Sequence, residues 1–464
     1  MPQACSRSFS IHSTLGTVHI RGNITQDLRV DVHRPLHNLL LHPTARSLDL
    51  LNIAAGVYAV DRAIRRKAID GNETGIRTLH LDFAVHDLDF WQTTEITESV
   101  TRILCFLTDE NWSLRFVRAE ADRQPTQPQS RFDFPWKTCP RRIALFSGGL
   151  DSAAGLANRV LAGTHDFLLL TVGHHNRLRG HCIGQIAQLS QQTGTPRQMH
   201  MTLDVQQISG VASRMSKQEL SQRSRAFLFT AAAAAVAQTC KVSDIEVFEN
   251  GVGAINFPLM TGMLTGGLAT RGAHPTFLKW MSELASSVVD QPIRYTLPFF
   301  KKTKAEMLLP LRQHGLSDWL QRSRSCVHTS LRQRKVSHCG QCAGCIERRQ
   351  AFSSAGINER IEGVYSDDLL TDPPLTSDNA DYLQRYIDEA ANWLSGDDAI
   401  RRRLAQHLRL TNVPAMQYTA IARQQRRHAQ EVIDKLGHLT ARRISKGAVS
   451  SRRAPALLLS ETSP

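Results

Sequence analysis

No apolar run in the chain is long enough to cross a membrane, and Met1–Gly16 lacks the order of segments that marks a secretory signal. A cytoplasmic protein is expected on those grounds. In a chain this long the cysteine distribution also argues for metal binding over a disulfide framework. Of nine cysteines, Cys5, Cys105, Cys139, Cys182 and Cys240 are scattered, and the other four crowd into 326–345. Residues 1–119 hold no chemical motif, and histidines such as His33, His37 and His42 are too irregularly spaced for a metal site. Acidic residues are the minority, 42 against 56 Lys and Arg. The basic excess is local: residues 401–453 carry 11 Arg and 2 Lys against Glu431 and Asp434, with one aromatic, Tyr418. Single-strand binding interleaves cations with stacking platforms, which are lacking here. Solvated helix faces (Arg401–Arg403) and docking on an acidic protein therefore rank ahead of nucleic acid.

What is present is enough for two or three domains. Residues 1–119 read as a small α+β domain. Its strands are expected at Ser8–Ile20, Thr78–Val85 and Trp112–Val117, and its helices at Ala45–Ala68 and Glu95–Leu107. Residues 120–139 have linker composition. Across 140–325, strands (142–147, 166–173, 197–204, 244–250, 293–299) alternate with helices (151–162, 177–193, 219–240, 274–289, 303–315). That rhythm predicts an α/β fold with a doubly wound parallel sheet. Residues 326–355 carry the cysteines and a short helix, 356–440 read as a helical C-terminal region, and 441–464 as a basic, disordered tail.

The stretch that organises the chain is Ser147-Gly148-Gly149-Leu150-Asp151-Ser152, set between the apolar run Ile143–Phe146 and an Ala- and Leu-rich helix. Two glycines let the backbone approach a ligand, and the helix start offers unpaired N–H groups and a positive dipole end. Phosphate or pyrophosphate suits such a place. Ser147 and Ser152 add hydroxyls, and Asp151 is placed to hold Mg2+ or the loop itself. The Gly-Lys-Ser/Thr ending of a Walker A loop is missing.

Cys326, Cys339, Cys342 and Cys345 follow the pattern C-x12-C-x2-C-x2-C, with Gly340 and Gly344 in the knuckle. Four thiolates close a tetrahedral Zn2+ site with no position left for water, so its role is structural. An iron–sulfur cluster is the competing metal reading.

The hexapeptide resembles the PP-loop of ATP pyrophosphatases, which split ATP into AMP and pyrophosphate. With the cysteine cluster, the chain resembles the 7-cyano-7-deazaguanine synthases, the QueC family, over about 145–350. Three further stretches match: Arg223-Ser224-Arg225 before an alanine-rich helix, Pro298 with Lys302-Thr303-Lys304-Ala305-Glu306-Met307, and Cys339-Gly340-Gln341-Cys342-Ala343-Gly344-Cys345. The family's Tyr-Gly-Gln after the second strand is replaced by Gly173-His174-His175-Asn176. With its extra terminal regions the chain looks closest to QatC, the larger QueC-like protein of a bacterial antiphage cassette.

The resemblance implies a sheet of the adenine nucleotide alpha-hydrolase type and a carbon–nitrogen ligase. A carboxylate such as 7-carboxy-7-deazaguanine is adenylated and converted to an amide or nitrile. It implies ATP binding at Ser147, Gly148, Gly149, Leu150, Asp151 and Ser152, and catalytic roles for Asp151, Lys304 and Arg225. His174, His175, Asn250 and Asn256 are the candidate substrate residues. ATP, Mg2+ and Zn2+ are the expected cofactors. A protein partner from the same operon is expected on the C-terminal region, with truncation after Thr376 sparing ATP binding. Two other readings stay open: a tRNA-modifying PP-loop enzyme, and a nucleotide-binding subunit of a defence complex without catalysis.

Overall fold

The computed structural model describes residues 6–14, 17–22, 26–31, 43–64, 76–120, 140–173, 176–209, 219, 223–259, 270–327, 337–366 and 377–445. The expected linker, His33, His37, His42, His174, His175 and the tail beyond Ser445 lie outside the described residues, apart from Glu120 at the linker's start.

Ten strands are described: β1 (Ser6–Thr14), β2 (Thr17–Gly22), β3 (Gln26–Asp31), β4 (Thr78–Val85), β5 (Asn111–Arg118), β6 (Arg142–Leu145), β7 (Phe167–Gly173), β8 (Met199–Ser209), β9 (Asp244–Val247) and β10 (Arg294–Thr296). They form one sheet in the order β10-β9-β6-β7-β8-β3-β2-β1-β4-β5. β6 to β10 correspond to the five apolar runs read from the sequence, and all five run parallel. β7 is buried at every position. Its side chains alternate with the strand period of two: Leu168, Leu170 and Val172 enter one core, Phe167 and Leu169 another. Helices consequently cover both faces of this half.

The larger core joins distant parts of the chain. Helices Ala45–Ala63, Thr94–Thr108, Arg225–Cys240 and Pro275–Val289 all bury side chains in it. Ala231 to Ala237 is almost continuous alanine, which lets helix Ala45–Ala63 pack closely against it. The core on the opposite face takes helices Leu150–Leu161, Asn176–Thr193, Lys304–Gln313, Ser317–Gln321 and Ala343–Ser354. Helices Ser377–Ser395, Asp398–Leu410 and Tyr418–Ser445 share a third core with Ile255 and Ile346.

β1 and β2 form the hairpin expected over Ser8–Ile20. β1, β4 and β5 run parallel to one another, with helices between them in sequence. β3 pairs antiparallel with both β2 and β8 and so splices the amino-terminal strands onto the parallel half. No apolar run announces β3, whose sequence is Gln-Asp-Leu-Arg-Val-Asp. Polar contacts reinforce the splice. Ser224 Oγ donates to Asp61 Oδ2 at 2.7 Å, and Arg223 Nη1 donates to Thr108 O at 2.9 Å.

Candidate functional site

β6 ends at Leu145, and helix Leu150–Leu161 starts one tight turn later. Gly148 has φ +70°, and a Cβ there would stand 2.7 Å from His181 Cδ2. Both facts require glycine. Gly149 caps the helix without a side chain, so the first helical N–H groups remain open to a ligand. Gly149 N donates to Ser147 Oγ at 3.3 Å, and Ser147 Oγ lies 3.2 Å from Ser152 Oγ. Ser152 Oγ in turn donates to Gly149 O at 3.0 Å. This cradle sits where the sheet reverses its winding, because β6 has β7 on one side and β9 on the other. Ligands bind at such switch points.

Asp151, in the helix's first turn, points at two residues from distant segments. Lys304 Nζ lies 3.1 Å from its Oδ2, and Asn250 Nδ2 donates to its Oδ1 at 2.9 Å. Lys304 Nζ also stands 3.1 Å from Glu347 Oε2. Asn250 Nδ2 also reaches Glu249 Oε1 at 2.8 Å. Asp151, Glu249 and Glu347 thus surround one ammonium. Burial works against the charge on Lys304, but Asp151, Glu347 and Glu249 outweigh it and hold the group well above its ordinary range. Burial and then the Asp151 charge push the Glu249 carboxyl well above the usual carboxylate range.

Lys304 gets its position from a capping box. Thr303 Oγ1 accepts from Glu306 N at 3.2 Å, and Thr303 N donates to Glu306 Oε2 at 2.9 Å. Asn250 is itself a helix cap, accepting from Gly253 N at 3.0 Å. The candidate Asn250 and the matched segment Lys302–Met307 are therefore brought together at Asp151. Glu347 and Tyr382 were not singled out there. Tyr382 OH donates to Glu347 Oε1 at 3.1 Å. The available signals were weak: Glu347 lies two residues after Cys345, and Tyr382 is an ordinary aromatic on an amphipathic helix.

Other candidates are placed elsewhere. Arg225 starts helix Arg225–Cys240 and lies 4.6 Å above the Phe229 ring. Burial lowers its pKa, Tyr58 raises it and Arg62 lowers it, which puts it beside the amino-terminal helix and not beside Lys304. Asn256 caps a short helix with φ +44° and donates through Nδ2 to Thr270 O at 2.9 Å. Cys182 lies under Gly148, whose added Cβ would come within 3.2 Å of Sγ. Burial pushes its thiol up to about 11, so it stays protonated at neutral pH.

Cys326, Cys339, Cys342 and Cys345 converge, with sulfur–sulfur separations of 3.5 Å (Cys342–Cys345) and 3.9 Å (Cys326–Cys342 and Cys339–Cys345). A tetrahedral ion with metal–sulfur bonds of about 2.3 Å has edges of about 3.8 Å. The cluster thus fits one Zn2+, whereas several irons would hold the sulfurs farther apart. Cys342 N donates to Cys339 Sγ at 3.3 Å, and Cys342 caps helix Ala343–Ser354, which carries Glu347.

The C-terminal helices close over this region. Gln424 Nε2 donates to Phe300 O at 2.9 Å and Lys302 O at 2.7 Å, and Thr303 Oγ1 donates to Glu431 Oε1 at 2.6 Å. Truncation after Thr376 would remove Tyr382, Gln424 and Glu431 together, and with them the contacts to Glu347, the Phe300 and Lys302 carbonyls and Thr303. Arg403 is also not a solvated face residue: it pairs with Glu389 and lies 4.9 Å above the Phe257 ring. Gly251 is pinned under the same contacts, since a Cβ would sit 1.7 Å from Phe300 O. Gly251→Ala is expected to cost about 3 kcal/mol, read as a lower urea midpoint with unchanged slope. An unchanged midpoint refutes the packing argument.

A family model described as queuosine biosynthesis protein QueC matches residues 270–356. The 7-cyano-7-deazaguanine synthase of Nitrosococcus oceani is 25% identical over 240 residues, 47% of this chain and 96% of that one. No solved structure gives a significant match. The chain is QueC-like on these two findings. The span matched by the family model holds Lys304, Glu347 and all four clustered cysteines.

Proposed function

We propose that this QueC-like chain uses ATP to activate a carboxylate and convert it to an amide or nitrile, releasing AMP and pyrophosphate. One observation carries the reading: an open, glycine-built helix start at a sheet switch point, with Asp151 tied to Lys304 and Asn250. The backbone N–H groups of residues 148–152 receive the phosphates. A carboxylate oxygen attacks the α-phosphorus, and the bond to pyrophosphate breaks. An amine nitrogen then attacks the acyl carbon and AMP leaves, giving the amide; a nitrile takes a second ATP, whose α-phosphorus accepts the amide oxygen so that this oxygen departs with AMP as the nitrogen gives up its protons. The chain's contribution is position and fixed charge. Asp151 and Glu347 offer the oxygen donors that suit Mg2+, which would neutralise phosphate charge. The four cysteines would hold Zn2+ away from the chemistry.

The acid assigned is 7-carboxy-7-deazaguanine or a close relative, since the relative's printed product is 7-cyano-7-deazaguanine. His174, His175 and Asn250 are assigned to its pocket. The setting assigned is a cytoplasmic antiphage cassette, with a protein partner presenting the amine. The thiolase version of a tRNA-modifying enzyme is disfavoured by Cys182, buried and protonated under the loop.

The test incubates the chain with ATP, Mg2+ and 7-carboxy-7-deazaguanine, with ammonia or the neighbouring operon proteins as amine source. Mass spectrometry is expected to find AMP only when the acid is present, with an amide or nitrile adduct. AMP release that requires RNA instead moves the assignment to a tRNA-modifying enzyme. Nucleotide binding without any AMP moves it to the non-catalytic subunit.

A further inference from the structure

We infer that Arg324 is a phosphate-binding residue of the SGGLDS loop, gripping the β- and γ-phosphates that leave as pyrophosphate. The inference rests on the ATP reading above and adds to it a residue that neither the motif nor the cysteine pattern marks.

The backbone at 324 is stitched to the loop's two glycines. Arg324 N donates to Gly148 O at 3.0 Å, and Arg324 O would lie 3.4 Å from a Cβ built on Gly149. Its neighbours are pinned from both sides. Arg348, 0% exposed, donates through Nη1 to Ser323 O at 2.9 Å and Ser323 Oγ at 2.6 Å, and through Nη2 to Gln321 O at 3.1 Å. Ser325 N donates to His338 Nε2 at 3.2 Å, and Cys326 belongs to the metal cluster. The Arg324 side chain, in contrast, is exposed and has no carboxylate partner among the described residues. Its positive field reaches His181 and Cys182, both of which lie against Gly148.

Lys304 cannot play this part. Its ammonium is already compensated by Asp151, Glu347 and Glu249. A fixed backbone with an uncompensated guanidinium is what a phosphate needs, because the planar fork donates to two oxygens at once. Negative charge moves onto the β-phosphate as the α–β bond breaks, so the contact strengthens on the way to the transition state.

The experiment uses the full zinc-loaded chain, with ATP, inorganic pyrophosphate and AMP as separate probes in titration calorimetry. Arg324→Gln is expected to weaken pyrophosphate and ATP by about tenfold, to leave AMP within about twofold, and to keep zinc content and melting temperature. Arg324→Lys should recover part of the loss, since it restores charge without the fork. Arg324→Gln that binds pyrophosphate as the wild type does overturns the inference and leaves the ATP reading standing. Equal losses for AMP and pyrophosphate, with zinc lost as well, also overturn it, since they mark a structural residue. Wild type that binds neither ATP nor pyrophosphate overturns both.

Discussion

Cys342→Ser is expected to release the metal, to lower stability by up to on the order of 10 kcal/mol, and to abolish nucleotide turnover with it. The double consequence follows from where Cys342 stands. Its sulfur lies 3.5 Å from Cys345 and 3.9 Å from Cys326. Its backbone opens helix Ala343–Ser354, and that helix carries Glu347 to Lys304 and Arg348 to Ser323. Metal analysis should find about one zinc per chain in the wild type and none in the variant, with most of the variant insoluble. Iron with visible absorbance in the wild type, or a variant that keeps its zinc and its melting temperature, contradicts the assignment.

The second large effect separates two members of one cluster. Asp151→Ala should lower AMP and pyrophosphate formation by at least about a hundredfold while the chain stays folded. Lys304 keeps Glu347 at 3.1 Å in that variant, so no buried charge is stranded. Ser147→Ala should act in the same direction, since Ser147 Oγ accepts from Gly149 N. Lys304→Ala is a different case. It leaves Asp151, Glu249 and Glu347 facing one another without a cation, a change that costs about 3–5 kcal/mol in buried pairs. The double variant should be less unstable than Lys304→Ala alone, because removing Asp151 relieves part of the repulsion. Urea unfolding gives the stabilities and a pyrophosphate assay gives the rates. Near-normal turnover in Asp151→Ala, or stabilities that simply add, would sink this account of the cluster.

The parts of the fold legible in the sequence are those whose cause is local. Ile143–Phe146 followed by Gly148-Gly149 and an Ala-rich helix states its own strand, turn and helix, and the structure keeps all three. Thr303 and Glu306 form a capping box three residues apart, so the start of the Lys304 helix is also written locally. The four cysteines announce their convergence through spacing. What stayed hidden depends on packing between distant segments. Glu249 sits beside the candidate Asn250, yet nothing in the sequence says that it shares Asn250 Nδ2 with Asp151 or adds its charge to the Lys304 site. Tyr382 reaches Glu347 only because three C-terminal helices fold back as one core. Arg225 looked suited to the chemistry by its place in a matched segment. The alanines after it draw helix Ala45–Ala63 close, and Arg225 is absorbed there against Tyr58. β3 has only Leu28 and Val30 between polar residues, too short a signal to announce a strand, and it is defined by its pairing with β2 and β8.

The antiparallel splice at β3 gives the molecule a front and a back. β6 to β10 all point one way, and SGGLDS, Glu249-Asn250 and Pro298 follow their tips. β1, β4 and β5 point the other way, because two antiparallel pairings lie between β1 and β3 and a third joins β3 to β8. The loop after β4, where His86 Nδ1 rests 2.6 Å from the buried carboxylate of Asp49, therefore opens on the far rim. A body seated on that rim would stand at the opposite strand ends from the SGGLDS loop. Helices Ala45–Ala63 and Arg225–Cys240 pack on each other in the core that joins the two halves of the sheet.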